Sequence, residues 1–336
     1  MEQPAVPLQP SELAKRQAAT DVRRKERSLW RDAWSKLIAN RLALASVVIL
    51  SGVFIIAIVG PYITPYDHLD QDWEHIAEGP SLRHLLGTDE LGRDMLSRIM
   101  AGGRTAVIIA SITTVIRLVL GLFFGGVAAY FGSWVDSLVI RLIDLIQSFP
   151  SIMLVIFLVA TLRPAIHRFS DALVFDLGWQ FARNTTYLDF LVVFVVLGLT
   201  GWTHLARLVR GQILSLREQD YIMAAQVAGT NELKIILRHL IPNSLGPVVV
   251  SLSAGFGTAM LTEASLSYLG IGIQPPAASW GYMISENLIQ WRFRPHLVMM
   301  PGAVLFVVVL ATSFLGDGLN DALNPRFLTP SKKEAG

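Results

Sequence analysis

Ionisable side chains set inside long apolar runs are the first places to look for chemistry in this sequence. Glu263 lies in the run 245–269, Arg141 and Asp144 in the run 135–162, and Arg117 in the run 105–131. A charge in hydrocarbon is costly, so such groups face a bundle interior or water and mark either a path for polar cargo or a structural pair. Glu263, Arg141 and Asp144 are the candidate lining of a translocation path. Glu263 could meet the ammonium group of a cargo molecule, or be a hydrogen-bonded carboxylate at a helix end. Arg141 and Asp144, three apart, are expected to neutralise each other on one helix face. Arg117 is expected to snorkel or to pair across helices. Catalytic patterns are absent from the sequence. There is no nucleophile elbow or HExxH helix, and no phosphate loop, since Gly-Lys never occurs. The chain has no Cys, which removes disulfides and thiolate metal sites. Its 7 His are scattered, with no close pair resembling a zinc site. No catalytic residue, no metal and no cofactor of its own are expected, and the chain is not expected to be an enzyme.

The elements that must carry these residues follow from composition. Of 336 residues 52% are hydrophobic and 16% charged, with a mean hydropathy of +0.49. Soluble domains average about 25% charged residues, so lipid is part of this chain's solvent. A net charge of +2 gives no argument for a nucleic-acid partner. A bilayer is spanned by about 20 apolar residues in a helix. Six spans are expected, over Leu42–Val59, Thr105–Phe131, Val135–Leu162, Leu188–Val209, Leu245–Leu269 and Leu297–Leu315. Gly121 and Gly125 form a GxxxG in the second, which suits close helix packing within the subunit. Lys and Arg concentrate on the cytoplasmic side of membrane proteins. Segments 1–41, 203–242 and 316–336 hold seventeen of them, and 60–104, 163–187 and 270–296 hold nine. Both termini are therefore expected in the cytoplasm. Residues 1–40 read as a partly disordered tail, helical near Trp30–Lys36, with Trp30 and Trp34 at the membrane interface. The span domain covers 41–328, and 329–336 form a short tail. The apolar run begins too late, and is too long, for a cleavable signal peptide.

The most informative stretch is 218–242, EQDYIMAAQVAGTNELKIILRHLIP. Asp220 is a good N-cap for a first short helix ending at Ala228, with Gly229 as its stop. A second helix begins at Thr230 or Asn231, and Pro242 bars its continuation in the same geometry. Ala224 and Ala228 share a face flanked by Ala225, and a small-residue face approaches a partner groove closely. Taken alone, this is equally a plain helical connector.

The spacing of Ala224, Ala225, Gly229 and Pro242 resembles the cytoplasmic coupling loop of ABC importer permeases. Met223 stands where that pattern has Glu, His239 where it has Ile, and Ile241 where it has Leu. Three further strings are similar to the dipeptide/oligopeptide/nickel branch of that family: GTDELGRDMLSR within 85–98, LTEASLSYLGIGIQPPAASWG at 261–281, and GDGLNDALNPR at 316–326. In the first, Gly87 and Gly92 allow tight turns. Asp94 and Arg98 are placed to pair on one helix face, and Asp89 and Arg93 precede them. In the second, Trp280 suits a membrane interface. The resemblance covers about residues 35–328 and is nearest to the second membrane subunit, the C-type dipeptide permease. The segment 163–187 looks longer than usual for it.

The resemblance implies an all-α membrane protein with the type I ABC importer permease fold, in a prokaryotic cell membrane. It implies a second, homologous permease subunit, two ATP-binding subunits carrying ATP and Mg, an extracytoplasmic substrate-binding protein, and di- or oligopeptide cargo. Asp220, Tyr221, Ala224, Ala225, Gly229 and Pro242 would couple to the ATPases. Nickel or another small solute is an alternative cargo. A stand-alone channel or secondary transporter is the alternative of another class, though no paired helix interruptions favour it.

Overall fold

The computed structural model describes residues 29–177 and 185–323. Within them the regular elements are helices, joined by irregular segments of which the longest, 64–94, carries one isolated antiparallel bridge between Thr88 and Asp94. Helix α1 is Leu29–Ala39 and α2 is Arg41–Ile63. They are separated at Asn40, whose side chain accepts from the Leu42 and Ala43 amides and caps α2. Helix α3 covers Met95–Phe131, α4 Ser133–Gln147, α5 Ser151–Leu177 and α6 Thr185–Arg217. Two short helices, α7 (Asp220–Val227) and α8 (Glu232–Ile235), precede a π-helical turn at Ile236–Leu240 and α9 at Ile241–Tyr268. Helix α10 (Trp280–Glu286) and α11 (His296–Leu323) complete the chain.

Six helices are long and apolar enough to cross a membrane: α2, α3, α5, α6, the stretch entering α9, and α11. The expected count holds, with one boundary corrected. Val135–Leu162 is not one span, because the chain breaks at Ser148–Pro150 into α4 and α5. Proline cannot donate the helical hydrogen bond and restricts the residue before it. Helix α4 is amphipathic. Val139 and Ile143 are buried against Ala128, Trp202 and Ala206, while Trp134, Leu138 and Leu145 are exposed. The third span is α5, which continues as helix to Leu177, through most of the segment expected as a long connection.

Helices α3 and α6 pack together along the GxxxG. A Cβ at Gly121 would lie 2.7 Å from the Leu205 side chain, and one at Gly125 would lie 2.6 Å from the Ala206 carbonyl. Only a missing side chain allows backbones this close. Arg117 neither snorkels nor forms an ion pair. Its Nε donates to the Gly201 carbonyl (3.1 Å) and one terminal nitrogen donates to the Gly255 carbonyl (3.0 Å), tying α3 to α6 and α9. A second core joins α2, α3, α9, α10 and α11 around Met95, Met260, Met283 and Leu297. Trp280 belongs to it. It is buried against Gly102 and Gly103 with its indole N–H donating to the Ile99 carbonyl (2.9 Å), so it is a core residue and not an interfacial one.

Candidate functional site

The order of spans sends 64–94 and 269–295 to one end of the bundle, and α4, α7 and α8 to the other, with both ends of the described chain. At the latter end α7 stands out from the body. Its N-cap is Gln219, which makes no side-chain cap bond, so Asp220 is the first helical residue and not the cap that its type suggested. Ile222 is fully buried among Val209, Ile213, Leu240 and Val248, and Ala225 packs partly against the same cluster. The remaining faces are exposed: Tyr221, Met223, Ala224 and Val227, the last 90% accessible.

Gly229 ends α7 as expected, with φ +75°. The Thr230 amide donates to the Ala225 carbonyl (3.1 Å) and the Gly229 amide donates to that of Gln226 (2.9 Å). This paired closure needs a left-handed residue. Nothing lies within 4 Å of a Cβ built at Gly229, so conformation and not space demands glycine. The geometry of α8 is not carried through to Pro242, as expected, although the chain stays helical across it. The wider π-helical turn before it absorbs the missing donor, and Pro242 sits in the first turn of α9, where a proline costs little.

At the opposite end, Gly87 and Gly92 take positive φ (+79° and +71°), and the bend closes on Asp89. Asp89 is buried. One of its oxygens accepts from the Leu91 and Arg93 amides (2.9 Å each), and the other meets Arg93 Nε (2.7 Å) and Arg98. Glu286, on α10, closes the ring with Arg93 (2.6 Å) and Arg98 (2.9 Å). Two arginines and two carboxylates thus clamp the loop, α3 and α10 together. Burial acts to lower the Arg93 guanidinium's pKa, but the Asp89 and Glu286 carboxylates together outweigh it and hold it above its ordinary value. Arg98 does not pair with Asp94. Asp94 instead caps α3, accepting from the Ser97 amide (2.8 Å) and Ser97 Oγ (2.9 Å), and faces His84 Nδ1 at 3.0 Å. Glu286 was not singled out in the sequence; nothing local marks it, since its partners lie 188 and 193 residues away.

Nor do the histidines stay scattered. His75 and His84 converge with Asp72 so that one ligand atom of each lies within 4.8 Å of the others. The Asp72 carboxyl is held below its usual range chiefly by its hydrogen bond with His75.

Between the two ends, α2, α3, α9 and α11 enclose a groove of about 620 Å³. Apolar side chains such as Leu50, Phe54, Leu252 and Phe256 line it, with the hydroxyls of Ser51, Thr114, Ser253 and Thr312 among them. Among the described residues no charged side chain lines it. Glu263 lies elsewhere and is 1% exposed. It accepts from Ser267 Oγ (2.7 Å) and Ser279 Oγ (2.8 Å), while Ser267 Oγ accepts from the Ile273 amide (2.9 Å). This geometry staples the loop after α9 back onto the helix. Arg141 and Asp144 are exposed on α4, outside the six spans, and Asp144 accepts from Arg207 (2.6 Å) on α6 and not from Arg141.

Residues 117–329 match the model of the binding-protein-dependent transport system inner membrane component family. The chain belongs to this family. Residues 28–80 also match the N-terminal transmembrane domain of oligopeptide transport permease C. Within the permease family, the chain is 36% identical to the dipeptide transport system permease protein DppC of Alkalihalophilus pseudofirmus, over 89% of this chain and 90% of that one. It is 30% identical to the oligopeptide transport system permease protein OppC of Bacillus subtilis, over 92% and 93%. It is 33% identical to the glutathione transport system permease protein GsiD of Pectobacterium atrosepticum, over 89% and 92%. Among solved structures, the inward-facing MetNI methionine ABC transporter aligns with a TM-score of 0.52 at 16% identity, over 68% of this chain and 98% of the other, a likeness of fold.

Proposed function

We propose that this permease is one half of the pore of an ATP-driven importer of di- and oligopeptides in a prokaryotic cell membrane. A second, homologous permease supplies the other half. Two ATPase subunits, which carry ATP and Mg, seat α7 in their grooves, and an extracytoplasmic binding protein delivers the peptide. The observation that carries this reading is α7: a short helix fixed to its own bundle by Ile222, with Met223, Ala224 and Val227 left exposed among the described residues and Tyr221 half-exposed, touched through its hydroxyl by Asn243. A short helix laid in a groove transmits a rigid-body push, and the Ile222 anchor passes it to α6 and α9. ATP binding would draw the two α7 helices together and turn the pore outward; hydrolysis would reset it. The dipeptide and oligopeptide permeases among the relatives support peptide cargo. So does the groove, whose apolar walls and scattered hydroxyls suit peptides of varied side chain better than a single ion.

Purification from the native host in mild detergent, followed by mass spectrometry, tests the assembly. A second six-span permease and ATPase chains should accompany this one. Recovery of this chain alone, under conditions that keep known transporters intact, would overturn the reading.

A further inference from the structure

The cluster of Asp72, His75 and His84 lies at the end of the bundle away from α7, and neither the pore nor the coupling helix uses it. His84 is 1% exposed. Its Nδ1 sits 3.0 Å from the buried Asp94 carboxylate, and its ring stacks on Tyr66 with centroids 4.6 Å apart. An ionised carboxylate only accepts, so the nitrogen facing Asp94 is one that carries a proton, and the tautomer this selects leaves Nε2 as the nitrogen with a lone pair to offer a cation. That Nε2 is buried and makes no hydrogen bond. It points at Asp72 Oδ2 from 3.7 Å, too far for one. A carboxylate holding one histidine nitrogen while the other is free is how metal-ligating histidines are oriented.

Both separations from the Asp72 oxygen agree, and all three ligand atoms lie within 4.8 Å of one another. Asp72 Oδ2 is 3.0 Å from His75 Nδ1. Bonds of about 2.0–2.1 Å around a tetrahedral zinc ion place neighbouring donors about 3.3–3.4 Å apart. The observed 3.0 and 3.7 Å bracket that edge. We infer that Asp72, His75 and His84 form a site for a zinc-class divalent cation, with His84 Nε2, His75 Nδ1 and an Asp72 oxygen as ligands. The fourth position opens on a cleft of about 460 Å³ lined also by Asp70 and Glu74.

Arg83 opposes the cation. Its guanidinium lies 3.4 Å from both Asp72 Oδ2 and His75 Nε2. It is 55% exposed and free to swing into water. Binding at His75 Nδ1 therefore needs the ring's other tautomer, with the proton on Nε2, and displaces Arg83 from both groups. The site competes with an internal cation, so removing that cation should strengthen it.

The test is calorimetric titration with Zn²⁺ at neutral pH, on the complex purified through a histidine-free tag on this chain. Wild type should bind one more Zn²⁺ per complex than His75→Ala, a substitution at a half-exposed ring that leaves the His84–Asp94 contact intact. Asp72→Asn should weaken that site at least tenfold, and Arg83→Gln should tighten it. X-ray absorption at the zinc edge should find two imidazole nitrogens in wild type and one fewer in His75→Ala. Identical isotherms for wild type and His75→Ala, or zinc with no imidazole scattering, would overturn the site.

Discussion

Residue by residue, the charges of this chain are spent on architecture, and two variants separate that role from cargo handling. Asp89 accepts from two arginines and two backbone amides while almost fully buried. Asp89→Ala leaves Arg93 and Arg98 short of a counter-charge and should destabilise the protein by about 3–5 kcal/mol. Thermal unfolding of the detergent-solubilised protein reads that loss. Glu263→Gln keeps an oxygen for Ser267 and Ser279 to donate to, so peptide uptake should stay close to wild type in a transport assay. Loss of uptake at unchanged stability would return Glu263 to the path. The sequence marked Glu263, Asp89, Arg93 and Asp94 as special but misassigned some of their partners. A charged residue announces a need for a partner, and only the fold chooses which. Asp144 finds Arg207, 63 residues away, in place of Arg141. Arg98 finds Asp89 and Glu286 in place of Asp94. The Asp72–His75–His84 cluster was illegible for the same reason, because the bend around Gly87 and Gly92 brings its members together.

At the scale of elements, helix α7 divides cleanly into an anchor and a contact. Ile222 and Ala225 face the bundle; Val227 and Ala224 do not. Val227→Asp should leave the chain folded and inserted, since Val227 is 90% exposed. It should cut ATP-driven uptake about tenfold or more, since burying an unpaired carboxylate in a partner's apolar groove exceeds the roughly 1.4 kcal/mol that tenfold requires. Gly229→Val acts differently, straining a left-handed residue by about 1–2 kcal/mol and loosening the end of α7. Limited proteolysis at 227–231 should detect Gly229→Val and not Val227→Asp. The end of α7 was legible because a left-handed stop leaves glycine in the sequence. The α4–α5 break was not. The hydropathy of 135–162 stays high across Phe149-Pro150, and an amphipathic interfacial helix running into a span reads as one long span. Length was the available clue, since that run exceeds the roughly 20 residues a bilayer needs.

For the whole molecule, six spans with the termini on one side fix which loops face which compartment. The chain has no Cys, so single cysteines report topology without background. Leu82 is 99% exposed in the loop after α2, and Val227 lies at the other end. Leu82→Cys should react with a membrane-impermeant maleimide in intact cells, and Val227→Cys only after permeabilisation. The opposite pattern would invert the molecule and remove α7 from any cytoplasmic ATPase. The span count and the end of the short helix before Gly229 were readable because bilayer thickness and a glycine stop act locally on sequence. The outer clamp depends on contacts across the chain, and the Asp72–His75–His84 cluster on the irregular path of a single loop, and neither was readable. The central claim is that this chain is the membrane half of an ATP-driven peptide pump worked through α7. Its most direct test is uptake of a labelled tripeptide into proteoliposomes carrying the purified complex, its binding protein and ATP, with Val227→Asp in parallel. The account predicts accumulation against a gradient only with ATP, and its loss in Val227→Asp with the bundle intact; ATP-independent uptake by this chain alone, or full pumping by Val227→Asp, would contradict it.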